Sequence, residues 1–140
     1  MKKILITGGH LTPALAVIEE LKKKKEWEIF FIGRNQAAEG DPTPSVESEI
    51  IPELGIPFYS ISAGRIQRQF TRWLFVSLLK MPLGFWQAFF LIRRLKPDVI
   101  LSFGGYVSAP VVFSGWLFRI PCVTHEQTTV KGLATRFNSL

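Results

Sequence analysis

The chain has 140 residues, of which 47% are apolar, 13% aromatic and 20% charged, and its formal net charge is +6. This composition excludes a disordered tail, a collagen and a disulfide knot, and the length fits one domain that buries roughly 68% of its unfolded surface. Residues 61–96 hold seven Lys and Arg, no acid and seven aromatic side chains. This segment predicts an anionic partner, either a membrane or a nucleic acid. The single Cys122 permits no internal disulfide and is expected in the core.

Two apolar stretches raise the question of an export signal or a membrane span. The N-terminal run Ile4–Ile6 is too short for an export signal. Residues 73–92 are twenty long and mostly apolar, but Lys80 lies near their middle and Pro82 follows it. A lysine in the middle of a bilayer costs about 2.5–3.5 kcal/mol. We therefore expect two consecutive amphipathic or buried helices rather than a transmembrane helix.

Short runs rich in Ile, Val and Phe alternate with segments of helical period, which predicts βα units and a parallel sheet. We predict five strands, at about Lys3–Thr7, Glu28–Ile32, Pro57–Ser62, Asp98–Phe103 and Pro121–Glu126. Right-handed crossovers then give a Rossmann-like, doubly wound α/β sheet. Its ligand crevice is expected at the carboxyl ends of the strands.

The first helix is predicted between the first two strands, where Thr12 is expected to cap it and Pro13 to take its first position. The lysines 22–25 then lie at its C-terminus, where a helix attracts cations, and are expected to be a solvated end. Further helices are predicted near Val46–Leu54, Thr71–Lys80, Leu83–Leu95 and Val107–Leu117, with a last one starting near Val130. Pro82 is expected to separate the second pair, because proline removes a backbone donor.

Three of the five strands end in unusual residues, which the topology is expected to bring together. Thr7-Gly8-Gly9-His10 leads into a helix, so its glycines and the helix N-terminus suit a phosphate, although a plain tight turn explains the glycines equally well. His10 is a candidate general base, and a helix-capping or structural histidine is the alternative. Phe103-Gly104-Gly105-Tyr106 repeats the pattern, with Tyr106 and Ser108 as neutral donors or, alternatively, as parts of a structural turn.

The third strand end is His125-Glu126-Gln127-Thr128, where polar residues appear abruptly after an apolar run. A buried strand has no structural need to end in this way, so we interpret these residues as functional. Two histidines on separate strand ends fall short of a zinc site, and we predict no metal.

Three stretches of the chain resemble the MurG family, the N-acetylglucosaminyltransferases that make lipid II for peptidoglycan. They are TGGHLTPALAVIEEL at 7–21, KPDVILSFGGYVSAPVV at 96–112 and IPCVTHEQTTVKGLATR at 120–136. The family pattern reads GGTGGH…PALAVAEEL, KPDVVxGxGGYVSGP and GIPVVxHEQNxxPGLANR. The chain departs from it in a first loop shorter by two glycines, in Ala109 for glycine and in Thr128 for asparagine.

The resemblance implies a GT-B fold, of which residues 1–140 form the N-terminal acceptor-binding domain. UDP-GlcNAc is then the donor substrate, lipid I the acceptor, and no further cofactor is implied. His10 is the implied catalytic base, with Glu126 as the next candidate. A donor or diphosphate role is implied for Thr7, Gly8, Gly9 and Thr128. An acceptor role is implied for Gly104, Gly105, Tyr106, Ser108, His125 and Gln127.

The resemblance also gives the basic and aromatic segment a role at the cytoplasmic face of the plasma membrane, where the protein is expected to be peripheral. The implied membrane patch comprises Arg68, Arg72, Trp73, Phe75, Leu79, Trp86 and Arg93. A C-terminal donor domain is absent from these 140 residues, so we expect the chain alone to be inactive. The alternatives are a separately encoded acceptor subunit of a two-chain glycosyltransferase, which needs a donor-binding partner chain, and a non-enzymatic domain that binds membranes or nucleic acid.

Overall fold

The computed structural model describes residues 1–37, 41–62 and 72–126, and of residues 72–78 only the backbone. Five strands form one parallel sheet in the order β3-β2-β1-β4-β5, which confirms the predicted doubly wound α/β fold. The strands are β1 (Lys2–Thr7), β2 (Trp27–Gly33), β3 (Phe58–Ser60), β4 (Val99–Ser102) and β5 (Cys122–Thr124). The helices are α1 (Leu11–Lys24), α2 (Val46–Glu53), α3 (Arg72–Leu95) and α4 (Ser108–Leu117).

The central strand β1 is buried on both faces. Its even residues Ile4 and Ile6 pack with Ile18 of α1 and with α2, whereas Leu5 faces the other way, toward α3 and α4. Alternate side chains of a strand point to opposite faces, so one apolar strand supplies two cores. The β3 and β5 edges are shorter than predicted, at three residues each.

The start of α1 corrects one sequence prediction. The helix begins at Leu11 and His10 is its N-cap residue, so Thr12 lies in the first turn and does not cap it. Pro13 is consequently the third helical residue rather than the first. It fits there because the first four N–H groups of a helix have no intrahelical partner to lose. The C-terminal lysines lie exposed at the other end as predicted, and Lys22 Nζ donates to the Leu54 carbonyl at 2.6 Å.

The predicted break at Pro82 is wrong. One helix of 24 residues, α3, runs through it. Proline within a helix costs about 3 kcal/mol, but the C-terminal half of α3 buries Ala88, Ile92 and Leu95 against the sheet, and this apolar burial offsets the cost. Within the described part of the chain, no helix is both long and apolar enough to cross a membrane.

Two further predictions have different outcomes. Cys122 is half-buried beside the core cluster of Leu5 rather than within it, and burial raises the pKa of its thiol. The helix predicted from Val130 lies outside the described residues.

Candidate active site

A cavity of about 470 Å³ opens at the carboxyl ends of the strands, where the fold was predicted to bind its ligand. It extends along the sheet edge from β3 to the loop after β4. Its lining residues are Gly8, Gly9, His10, Arg34, Asn35, Gln36, Glu47, Ser60, Ile61, Ser62, Lys80, Gly105, Tyr106 and Val107.

The first two glycine turns meet at this cavity. A Cβ atom on Gly9 would lie 2.2 Å from the Gly104 carbonyl oxygen, and one on Gly105 would lie 2.8 Å from the Gly9 Cα. Both Gly104 and Gly105 have φ of 77°, a left-handed conformation that L side chains rarely adopt. Their backbones therefore touch, and the phosphate-sized turns predicted at β1 and β4 form one surface.

His10 lies at the N-terminus of α1 and lines the cavity. It occupies the N-cap position, but its side chain makes no capping hydrogen bond. An imidazole beside unsatisfied helical N–H groups shares its position with a natural anion site.

Three charged residues of the cavity were missed by sequence reasoning. Arg34 follows β2 directly, and Glu47 lies in the first turn of α2. Lys80 reaches the cavity from α3. The signals were present, because Arg34 ends a predicted strand and Lys80 is the one charged residue in the apolar run 73–92. Glu47 carried no comparable signal, since it lies in a polar segment of uncertain structure.

The Glu47 carboxylate lies between the ends of β1 and β2. Its Oε1 accepts a hydrogen bond from the Arg34 backbone N–H at 2.8 Å. Burial raises the pKa of Glu47, and the Arg34 hydrogen bond and guanidinium charge oppose this shift only in part. The cavity lining thus combines two cations and a helix N-terminus with one carboxyl group whose pKa is raised by burial.

The remaining predicted residues of the first two turns divide between cavity and core. Tyr106 lines the cavity with a partly exposed ring. Thr7 and Ser108 are fully buried, and neither lines the cavity. The Ser108 hydroxyl donates to the Gly105 carbonyl at 2.7 Å, which tightens the second glycine turn. Both residues are therefore placed to support the turns rather than to touch a ligand.

The third strand end does not join the cavity lining. His125 donates its backbone N–H to the Ser102 carbonyl at 2.8 Å, and its ring centroid lies 5.6 Å from that of Phe103. Glu126 is half-buried beside it. Convergence is thus observed for two of the three strand ends. Gln127 and Thr128 lie outside the described residues.

A second surface lies on α3 and α4, and we call it the aromatic surface. Trp86 stacks on Phe90 with centroids 5.5 Å apart, and Phe85 meets Phe113 edge-on at 5.4 Å, which joins the two helices. The exposed apolar residues of this surface are Leu79, Leu83, Trp86, Phe90, Phe113, Trp116 and Leu117.

The predicted membrane patch overlaps this aromatic surface in part. Leu79 and Trp86 are 78% and 57% exposed, and Arg93 is exposed on the same helix. Arg68 and the side chains of Arg72, Trp73 and Phe75 lie outside the described part of the chain. In residues 1–37, 41–62 and 72–126, no group of three His, Cys, Asp or Glu is placed to hold a metal ion.

The sequence matches the profile of the glycosyltransferase family 28 N-terminal domain over residues 7–140. It is 42% identical over 140 residues to a Bacillus cereus UDP-N-acetylglucosamine–N-acetylmuramyl-(pentapeptide) pyrophosphoryl-undecaprenol N-acetylglucosamine transferase, covering 97% of this chain and 37% of the relative. A Halothermothrix orenii transferase of that name is 45% identical over 130 residues, covering 93% of this chain and 33% of its own. The chain therefore spans about a third of the length of these relatives.

Two solved structures carry the comparison into three dimensions. Acinetobacter baumannii MurG superposes with a TM-score of 0.74 at 27% identity, over 99% of this chain and 39% of that one. The Streptomyces glycosyltransferase SsfS6 superposes with a TM-score of 0.63 at 15% identity, over 99% of this chain and 42% of that one. At that identity, the second match concerns the fold alone.

Proposed function

The chain belongs to the glycosyltransferase family 28 N-terminal domain family, and from this membership we propose that it is the acceptor-binding half of a GT-B enzyme. The proposed enzyme is an inverting hexosyltransferase that moves GlcNAc from UDP-GlcNAc to the 4-hydroxyl of the muramoyl sugar in lipid I, forming lipid II. The observation that carries the proposal is the cavity where two touching glycine turns meet His10, Arg34 and Lys80.

In this proposal, His10 removes the proton from the attacking hydroxyl while the hydroxyl oxygen forms the new bond to the anomeric carbon of GlcNAc, and the bond from that carbon to the diphosphate breaks so that UDP leaves. General base catalysis of this kind contributes roughly 10²–10⁴-fold to a rate. The N-terminus of α1 and the cations Arg34 and Lys80 offset the charge of the acceptor diphosphate. Glu126 is the weaker candidate for the base, because it does not line the cavity.

The donor site is proposed to lie mainly in a second domain. The relatives are nearly three times as long as the part of them that this chain matches. Holding two reactants in register supplies about 7–11 kcal/mol of a barrier. We therefore expect these 140 residues to need such a donor domain, either in the same polypeptide or in a partner chain.

We also propose a peripheral position at the cytoplasmic face of the membrane. The aromatic surface presents large apolar side chains to solvent, and Arg93, Arg94 and Arg119 are exposed on or beside its helices. Apolar area and cations together favour an anionic lipid surface, where each cation adds about 1 kcal/mol. A nucleic-acid or purely membrane-binding role leaves the polar cavity without a use, and we do not favour it.

The activity is tested in a chimera in which residues 1–140 replace the matching part of the Bacillus cereus relative. We expect the chimera to convert lipid I to lipid II with UDP-GlcNAc, and the chain alone to give no turnover. A folded chimera that binds UDP-GlcNAc but leaves lipid I unchanged contradicts the proposed acceptor role.

Membrane binding is tested by sedimentation of the chain with anionic and neutral vesicles. We expect sedimentation with anionic vesicles only, and a loss of it when Trp86 and Trp116 are both changed to Ser. Val46→Ser is the matched control, since Val46 is 60% exposed but lies on α2. Equal binding to both vesicle types, or equal loss in the control, contradicts the proposed lipid surface.

A further inference from the structure

Glu47 is the charged group of the cavity that the proposed mechanism leaves unused. Its Oε1 accepts a hydrogen bond from the Arg34 N–H, which is the one hydrogen bond that the structure shows for this carboxylate within the described residues, and the residue lines the cavity. A carboxylate that lines a cavity, with one oxygen fixed by the backbone, has acceptor capacity left for a ligand at its second oxygen.

The surrounding backbone keeps space for this carboxylate. A Cβ atom at Gly8 would lie 2.5 Å from Glu47 Oε2, and one at Gly33 would lie 2.6 Å from Oε1. The ends of β1 and β2 are therefore followed or closed by glycines where the Glu47 carboxylate lies over them. The carboxylate accordingly has a defined position in the site.

The negative charge of Glu47 is not explained by packing. Burial opposes the charged form, as the raised pKa of this residue indicates. A glutamine has the same shape and would accept the Arg34 N–H through its carbonyl oxygen without placing a charge there. A carboxylate at this position is therefore better explained by the hydrogen bond that it can accept from a ligand.

The position of Glu47 in the cavity indicates which part of a ligand it would contact. Its carboxylate lies over the ends of β1 and β2, against Gly8 and Gly33, whereas the Gly104–Gly105 turn follows β4 and forms what we call the glycine end of the cavity. With strands about 4.8 Å apart, β2 and β4 are separated by roughly 10 Å. A diphosphate is repelled by a carboxylate and suits the glycine end, while neutral hydroxyl groups suit the Glu47 end.

We propose that Glu47 forms a hydroxyl-binding subsite, in which Oε2 accepts a hydrogen bond from a hydroxyl of the acceptor sugar while the diphosphate occupies the glycine end of the cavity. This inference rests on the proposed function and deepens it. Glu47 is then a determinant of specificity, because it strengthens the binding of a diphosphate that carries a sugar and not the binding of the diphosphate alone.

The test compares two probes that bind to the 140-residue chain, measured by calorimetry at neutral pH. One is a water-soluble, short-prenyl analogue of lipid I, and the other is inorganic pyrophosphate, which carries the charge without the sugar. We expect Glu47→Gln to weaken the analogue roughly 10- to 100-fold and to leave pyrophosphate binding unchanged or tighter. Glu49→Gln, an exposed position on the same helix, is the matched control and should change neither.

The other outcomes separate the two proposals. If Glu47→Gln binds the analogue as well as the unchanged chain does, the subsite is refuted while the acceptor role stands. If the variant loses both probes equally although its thermal unfolding is cooperative, Glu47 only positions the glycine turns, and the subsite is also refuted. If the unchanged chain binds neither probe, the proposed acceptor role fails, and the subsite fails with it.

Discussion

Gly9 is expected to be the most sensitive backbone position of the site. In Gly9→Ala, the new Cβ would meet the Gly104 carbonyl oxygen at 2.2 Å, the Gly104 carbonyl carbon at 2.5 Å and the Gly105 nitrogen at 2.9 Å. All three atoms belong to the backbone, so no side chain can rotate away. To reach ordinary contact, the two turns must separate by about 1 Å.

The expected cost of Gly9→Ala follows from this displacement. Overpacking of this kind destabilises by about 1–3 kcal/mol, which for a domain of this size lowers Tm by roughly 3–12 °C. A displacement of about 1 Å in a site also reduces a rate by as much as 10²-fold. Urea unfolding of the chain and turnover of the chimera measure the two effects.

A control distinguishes the contact from the general cost of replacing glycine. Gly55 has φ of 74°, but a Cβ there meets nothing within 4 Å, so Gly55→Ala carries only a conformational cost of about 1–2 kcal/mol and should leave turnover unchanged. If Gly9→Ala unfolds at the same urea concentration as the unchanged chain and retains full turnover, the two turns do not touch as described, and the reasoning is refuted.

Three further changes have defined outcomes. His10→Ala in the chimera should lower kcat roughly 10²–10⁴-fold with little change in UDP-GlcNAc affinity, and near-normal kcat would remove His10 as the base. In urea unfolding, Glu47→Gln should gain stability relative to the unchanged chain as pH rises from 4 to 7. The reason is that the raised pKa of Glu47 stabilises the unchanged chain at low pH, and this stabilisation is lost as the carboxyl group ionises. The opposite trend with pH would contradict the burial of Glu47. Pro82→Ala should stabilise the chain by about 1–3 kcal/mol, and a lower Tm would show that α3 depends on the proline.

The doubly wound parallel sheet could be predicted because its cause is local and repeated. Apolar runs such as Ile4–Ile6 and helical periods such as that of α1 alternate along the chain, and the handedness of βα crossovers limits the ways to assemble them. The glycine turns and His10 followed from the same rule, since a parallel sheet gathers the residues at its carboxyl ends.

The errors arose where tertiary contacts outweigh local preference. Proline at position 82 is a strong local signal, yet apolar burial along α3 maintains one helix. Thr12 is a good capping residue by type, but the N-cap of α1 lies two residues earlier, at His10. The place of Glu47 could not be predicted, because its carboxylate lies in the room that Gly8 and Gly33 leave, and no single stretch of sequence contains all three residues.

The continuity of α3 has a mechanical consequence. Lys80 at the cavity and Trp86 on the aromatic surface are six residues apart, which in one unbroken helix fixes an axial offset of about 9 Å and an angle of about 120° between their directions. The helix thus fixes the distance and the relative orientation of the two surfaces. Inserting one residue between them would turn Trp86 by about 100° relative to Lys80, so neither surface can change its register without the other.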